Sequence, residues 1–65
     1  MITTEMTLVT GERYRVQGSL QEVEAAIIAA SRGSIMQFAW LTDLDGEKFG
    51  VNPASVISLH QGATN

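Results

Sequence analysis

The stretch "SIMQFAWLTDLDGEKFGV", residues 34–51, decides how this chain folds, because the face that turns inward determines where its largest side chains go. Its first half is apolar on both alternating faces, with Met36, Phe38 and Trp40 on one and Ile35, Ala39 and Leu41 on the other. This pattern predicts a strand from Ser34 to Thr42 that is covered on both sides. Asp45-Gly46 then gives the strongest short hairpin signal in the chain. With those two residues as the loop, Thr42 faces Phe49 and Trp40 faces Val51, which gathers Phe38, Trp40, Phe49 and Val51 on one side. On the opposite side Asp43 meets Lys48 and Leu41 meets Gly50.

Upstream, "GSLQEVEAAIIAASRG" (residues 18–33) predicts a helix. Ser19 and Glu22 have the spacing of a capping box, in which each side chain satisfies an amide left unpaired at the helix start. Glu22 and Glu24 suit the positive end of the helix dipole. Arg32 and Gly33 supply a cationic last turn and a glycine stop. Leu20, Val23, Ile27 and Ala30 recur at helical spacing as a core-facing stripe. Ile28 lies off that stripe and, with Ala25 and Ala29, forms a second apolar surface suited to partial exposure or to another subunit.

Further upstream, Glu5 to Gln17 reads as two short strands around Gly11. A three-residue loop, Thr10-Gly11-Glu12, pairs Leu8 with Tyr14 and Met6 with Val16, keeping these four on one face and apart from Arg13 and Arg15. Downstream, Asn52-Pro53 interrupts the strand pattern. Proline lacks an amide hydrogen and biases its predecessor toward extended geometry, so "NPAS" predicts a corner. "SVISLH", Ser55 to His60, resumes as a strand anchored by Val56 or Ile57 and by Leu59, and "QGATN" reads as a loose tail. The expected fold is a single α+β domain of order β-β-α-β-β-β, an antiparallel sheet packed on one helix, with an ordered core over about residues 5–60.

A chain of 65 residues is one domain at most, and one this short buries only about 60% of the surface its unfolded form exposes. Small domains compensate with disulfides, metals or association. With no cysteine and one histidine the first two are poorly supplied, which leaves self-association. Absence of cysteine fits a reducing compartment, and a cytoplasmic location is expected. The opening "MITTEMTLVT" lacks the basic and apolar regions of a signal peptide. The longest apolar run, Ala25 to Ala30, is too short to span a bilayer. The net charge of -3 opposes phosphate-backbone binding. Arg13 and Arg15 are the candidate basic patch, joined by Arg32 or Lys48 if the fold allows.

Catalytic chemistry is sparse. His60, the single imidazole, has no cysteine to activate and reads as a surface or interface residue. Asp43, Asp45 and Gly46 match part of a calcium loop, but Ala54 stands where that loop needs its final glutamate. The glycines fit neither a dinucleotide fingerprint nor a phosphate loop. "NPA" cannot be a glycosylation acceptor, because proline occupies the middle position. Trp40, Phe38, Phe49 and Tyr14 could serve as an exposed stacking platform, but as the largest apolar groups available they read first as core or subunit interface.

At "TLVTGERYRVQGSLQEVEAAI" and "GEKFGVNPASVISL" the chain resembles the FlbD-like small bacterial proteins. Asn52, Pro53 and Val56 match that family's N-P-x-x-I segment. Gly11, Tyr14, Val16, Ser19, Glu22 and Val23 approximate its second block, with the two blocks in the opposite order. This resemblance implies an association with motility. The passage from a glycine hairpin through a short helix to strands is also similar to a LytTR half-domain, which implies DNA binding, although "IMQFAWLTD" carries none of that module's basic residues. Short actinobacterial and phage proteins of uncharacterised function look alike in overall pattern. The expected function is a non-enzymatic homo-oligomeric module for protein binding or assembly, with no cofactor and no metal. The alternative is a nucleic-acid-binding regulator using Arg13 and Arg15. The candidate contact residues are Arg13, Arg15, Ile28, Trp40, Asn52 and His60.

Overall fold

A computed structural model describes residues 2–32 and 37–62. The elements are β1 (Thr3–Leu8), β2 (Arg13–Gln17), α1 (Leu20–Ser31), β3 (Ala39–Thr42), β4 (Lys48–Val51), a 3-10 turn (Pro53–Ser55) and β5 (Val56–Gln61). This is the expected β-β-α-β-β-β order. The strands divide into an antiparallel sheet of order β2-β1-β5 and the hairpin β3-β4. An isolated antiparallel bridge between Val16 and Asp43 joins the two, and Gln17 Nε2 donates to Asp43 O at 2.9 Å beside it.

Both hairpins turn through the same device. Gly11 N donates to Leu8 O and Leu8 N to Glu12 O, and likewise Gly46 N donates to Asp43 O and Asp43 N to Glu47 O. Each loop therefore has three residues, Val9-Thr10-Gly11 and Leu44-Asp45-Gly46. Its glycine sits last at positive φ, +91° and +87°, the left-handed position such loops require. Asp43 Oδ1 reinforces the second loop by accepting from Asp45 N and Glu47 N, both at 2.9 Å.

These loops correct both expected registers, with unequal consequences. In the first hairpin Met6 pairs with Tyr14 and Thr4 with Val16. That is two residues from the expected pairing, so every side chain keeps its face. In the second, Ala39 pairs with Val51, Trp40 with Gly50, Leu41 with Phe49 and Thr42 with Lys48. That is a one-residue slip, which turns every side chain of β3 relative to β4. Ala39 and Leu41 are buried while Phe38 and Trp40 face outward. The expectation of a strand covered on both sides is thus overturned, because β3 has one inner and one outer face. The part of that expected strand at residues 34–36 lies outside the described residues.

The capping box on α1 forms as expected, with Ser19 Oγ accepting from Glu22 N at 3.1 Å and Glu22 Oε1 accepting from Ser19 N at 2.9 Å. The bond from the Ser19 amide, followed by that from its hydroxyl, holds the Glu22 carboxyl below the ordinary glutamate value of 4.5. A depressed folded-state value stabilises the fold above 4.5 and ceases to do so as pH falls through the folded value. Urea titrations should accordingly show a steeper acid-side loss of stability in wild type than in Glu22→Gln, which keeps an acceptor but does not titrate. Equal acid limbs would remove Glu22 from that account. At the other end Arg32 is the C-cap and the last turn holds no basic residue; the expected glycine stop, Gly33, lies outside the described residues.

Of the predicted stripe, Leu20 is half-buried and lines a groove beside β5, whereas Val23 and Ala30 are buried and Ile27 packs against the core together with Ala26. With Met6, Val16, Ala39, Leu41 and Val51 these residues make the core, in which no aromatic side chain is fully enclosed. In β5, Leu8 pairs with Val56 but Thr7 with Ser58, so Ile57 is an extra, bulged residue. The bulge settles which residues anchor the strand: Val56 and Leu59 pack on the core and Ile57 is exposed. The strand also outruns its expected end, since Gln61 belongs to it and Gly62 N donates to Thr3 O at 2.8 Å.

Candidate functional site

The outward face of the β3-β4 hairpin carries an exposed aromatic pair. Trp40 is 66% and Phe38 53% exposed, and their rings meet edge to face with centroids 6.2 Å apart. They can lie so because residue 50 has no side chain. A Cβ there would come within 3.0 Å of Phe38 Cβ and 3.3 Å of Trp40 Cζ3. The pair thus rests on bare backbone at Gly50, with Thr42 and Lys48 as the next cross-strand pair. Since these rings contribute little to the protomer's core, Trp40→Ala should change unfolding free energy by less than about 1 kcal/mol in chemical denaturation, against about 3–5 for a buried aromatic. A loss in the larger range would mean the ring is enclosed.

Tyr14 and Phe49 form a second, separate pair, with centroids 5.8 Å apart. Tyr14 OH donates to Glu12 Oε2 at 3.0 Å, and that bond, then the Glu12 charge, raises the phenol above its usual range. The four aromatic residues therefore do not form one platform. Phe49 of β4 meets Tyr14 of β2, while Phe38 and Trp40 lie on the outer face of the hairpin.

Strand pairing brings Arg13, Arg15 and His60 to one face of the three-stranded sheet. Arg13 and Ser58 flank Thr7, and Arg15 and His60 flank Glu5. The Glu5 carboxylate stands in the middle of the second row and opposes its positive charge. Arg32 and Lys48 belong to other elements, the helix C-cap and the start of β4. Asn52 is engaged within its own turn, with Oδ1 accepting from Ala54 N at 3.0 Å and its carbonyl from Ser55 N at 2.9 Å. With Pro53 as the first residue of that turn, the corner expected from "NPAS" is present.

Ile28 is 40% exposed. It lines, with Leu20, Pro53, Ile57 and Leu59, an open groove of about 340 Å³ between α1 and β5, where Glu24 is the one charged residue among those described. Ile57, half-expected as a core anchor, and Gly50, expected opposite Leu41, are the contributors that sequence reasoning did not place at these surfaces. A bulge in β5 and the one-residue slip of the second hairpin put them there, and neither has a marker in residue type. Among the described residues no three potential metal ligands cluster, and no helix is long and apolar enough to cross a membrane. Comparison of the chain with protein-family models, with curated proteins and with solved structures gave no match.

Proposed function

We propose that this chain is a small non-enzymatic module that self-associates and binds protein through apolar surface. One observation carries the reading. Among the described residues eight large apolar side chains are exposed, Ile2, Val9, Tyr14, Ile28, Phe38, Trp40, Leu44 and Ile57, while the buried hydrophobic set is seven residues, two of them alanine. A small domain with this much apolar surface outside gains stability by covering it. Trp40 and Phe38 are of the types that dominate interface energies. The absence of cysteine favours a reducing compartment, hence a cytoplasmic site of action. Sedimentation equilibrium at micromolar concentration tests the reading: association is expected, and a stably folded monomer throughout that range overturns it.

The second reading, nucleic-acid binding through Arg13 and Arg15, has their shared sheet face with His60 in its favour. The intervening Glu5 and the net charge of -3 weigh against it. A mobility shift on DNA or RNA at low salt, lost in Arg13→Ala and Arg15→Ala, would move the assignment to this reading.

A further inference from the structure

We infer that two copies of this chain pair antiparallel along the free edge of β5, each covering the other's groove between α1 and β5. The inference rests on the self-association proposed above and specifies its surface.

An edge strand with unpaired backbone groups recruits further strands unless something blunts it, and lysine or arginine on the strand is a common guard. In this fold the strands bordering the sheets are β2, β4 and β5, together with the uncharged β3, whose edge meets that of β2 at the bridge from Val16 to Asp43. Three of the chain's four basic residues lie in the first two, Arg13 and Arg15 in β2 and Lys48 in β4. The edge of β2 is further engaged by the bridge from Val16 to Asp43. By contrast β5, Val-Ile-Ser-Leu-His-Gln, contains no aspartate, glutamate, lysine or arginine. It is thus the edge with neither a fixed charge nor a bridge to the other sheet.

The same composition selects a second copy as the occupant. In a twofold contact each residue near the axis meets itself or its own neighbours, so any fixed charge there would face its own sign. A strand without fixed charge meets that requirement, whereas Lys48 in β4 or Arg13 and Arg15 in β2 would oppose their counterparts. Five of the seven acidic residues also lie elsewhere: Asp43, Asp45 and Glu47 in and beside the second hairpin loop, Glu12 after the first and Glu22 at the helix start, while Glu24 lines the groove from an exposed position on α1 and Glu5 pairs with His60. Beside β5, Ile28 and Ile57 offer apolar surface, 40% and 62% exposed, continuous with the strand edge through the groove. Strand pairing supplies hydrogen bonds, and the two isoleucines and their copies supply the apolar contact. The Phe38–Trp40 pair, on the other sheet, stays open for a different partner.

The test is sedimentation equilibrium of the full chain and of two variants. Wild type should dimerise, Ile57→Lys should weaken dimerisation at least tenfold while keeping its far-ultraviolet circular dichroism, and Trp40→Ala should dimerise like wild type. If wild type associates and folded Ile57→Lys associates equally well, the β5 contact is overturned while self-association stands. A wild type monomeric across the range overturns both. Should Ile57→Lys not fold, amide exchange on wild type decides. Protection of β5 amides that rises with protein concentration, with β4 unchanged, supports the pairing, and concentration-independent protection overturns it.

Discussion

Met6→Ala is expected to remove about 3 kcal/mol of stability, the middle of the range for truncating a buried methionine. Met6 is fully buried and lies in β1, the central strand of its sheet, where it pairs with Tyr14 on one side and Leu59 on the other. Few neighbours can collapse into the space it leaves, because a strand held on both edges cannot shift without breaking two ladders. A domain of this length has roughly 3–10 kcal/mol in total, so the variant should sit near its unfolding transition at room temperature. Thermal melts should show a midpoint lower by roughly 10–25 °C. A drop of only a few degrees would show that the core repacks around the gap. Because association adds to apparent stability by mass action, the comparison belongs at equal protein concentration.

Thr4→Val should cost about 1–2 kcal/mol although it changes neither size nor branching. Thr4 is fully buried on the inner face of β1, and its hydroxyl donates to Gly18 O at 3.1 Å. Gly18 in turn donates its amide to Ile2 O at 2.9 Å. This residue immediately precedes the capping box, so the two bonds clamp the start of α1 to the first strand. Loss of the hydroxyl should raise amide exchange in the first turn of α1 more than in β1–β2. Valine equal to wild type in urea denaturation would show that packing alone seats the helix.

Local signals carry the elements well. Ser19 and Glu22 marked the helix start because a capping box is chemistry between residues three apart, and Asn52-Pro53 marked the corner because proline acts on its own backbone. Register was not legible in the same way. Asp45-Gly46 announces a turn, but glycine can stand second in a two-residue loop or last in a three-residue loop, and the choice between them decides the faces of β3. The preference for enclosing aromatic rings then pointed the wrong way at Phe38 and Trp40. Hydrophobicity alone favours burying the larger rings, yet the smaller Ala39 and Leu41 are what the space beneath α1 receives. Of the candidate contacts, Ile28 was legible from its position off the helical stripe. Arg13, Arg15 and His60 share a face only because β1 runs between β2 and β5, a long-range pairing that no local pattern encodes.

The single bridge between Val16 and Asp43 has a mechanical consequence. The β2-β1-β5 sheet ties β1 to β5, whereas the β3-β4 hairpin closes on itself through a short loop and, among the described residues, is hydrogen-bonded to that sheet's strands only at Asp43, by the bridge to Val16 and the bond from Gln17 Nε2. Local opening follows the weakest seam between cooperative units, so the hairpin is the part expected to swing out first. Such a swing would uncover Ala39, Leu41 and Val51 while the terminal strands stayed zipped. The protein would then open like a clasp, with its aromatic pair carried on the moving arm.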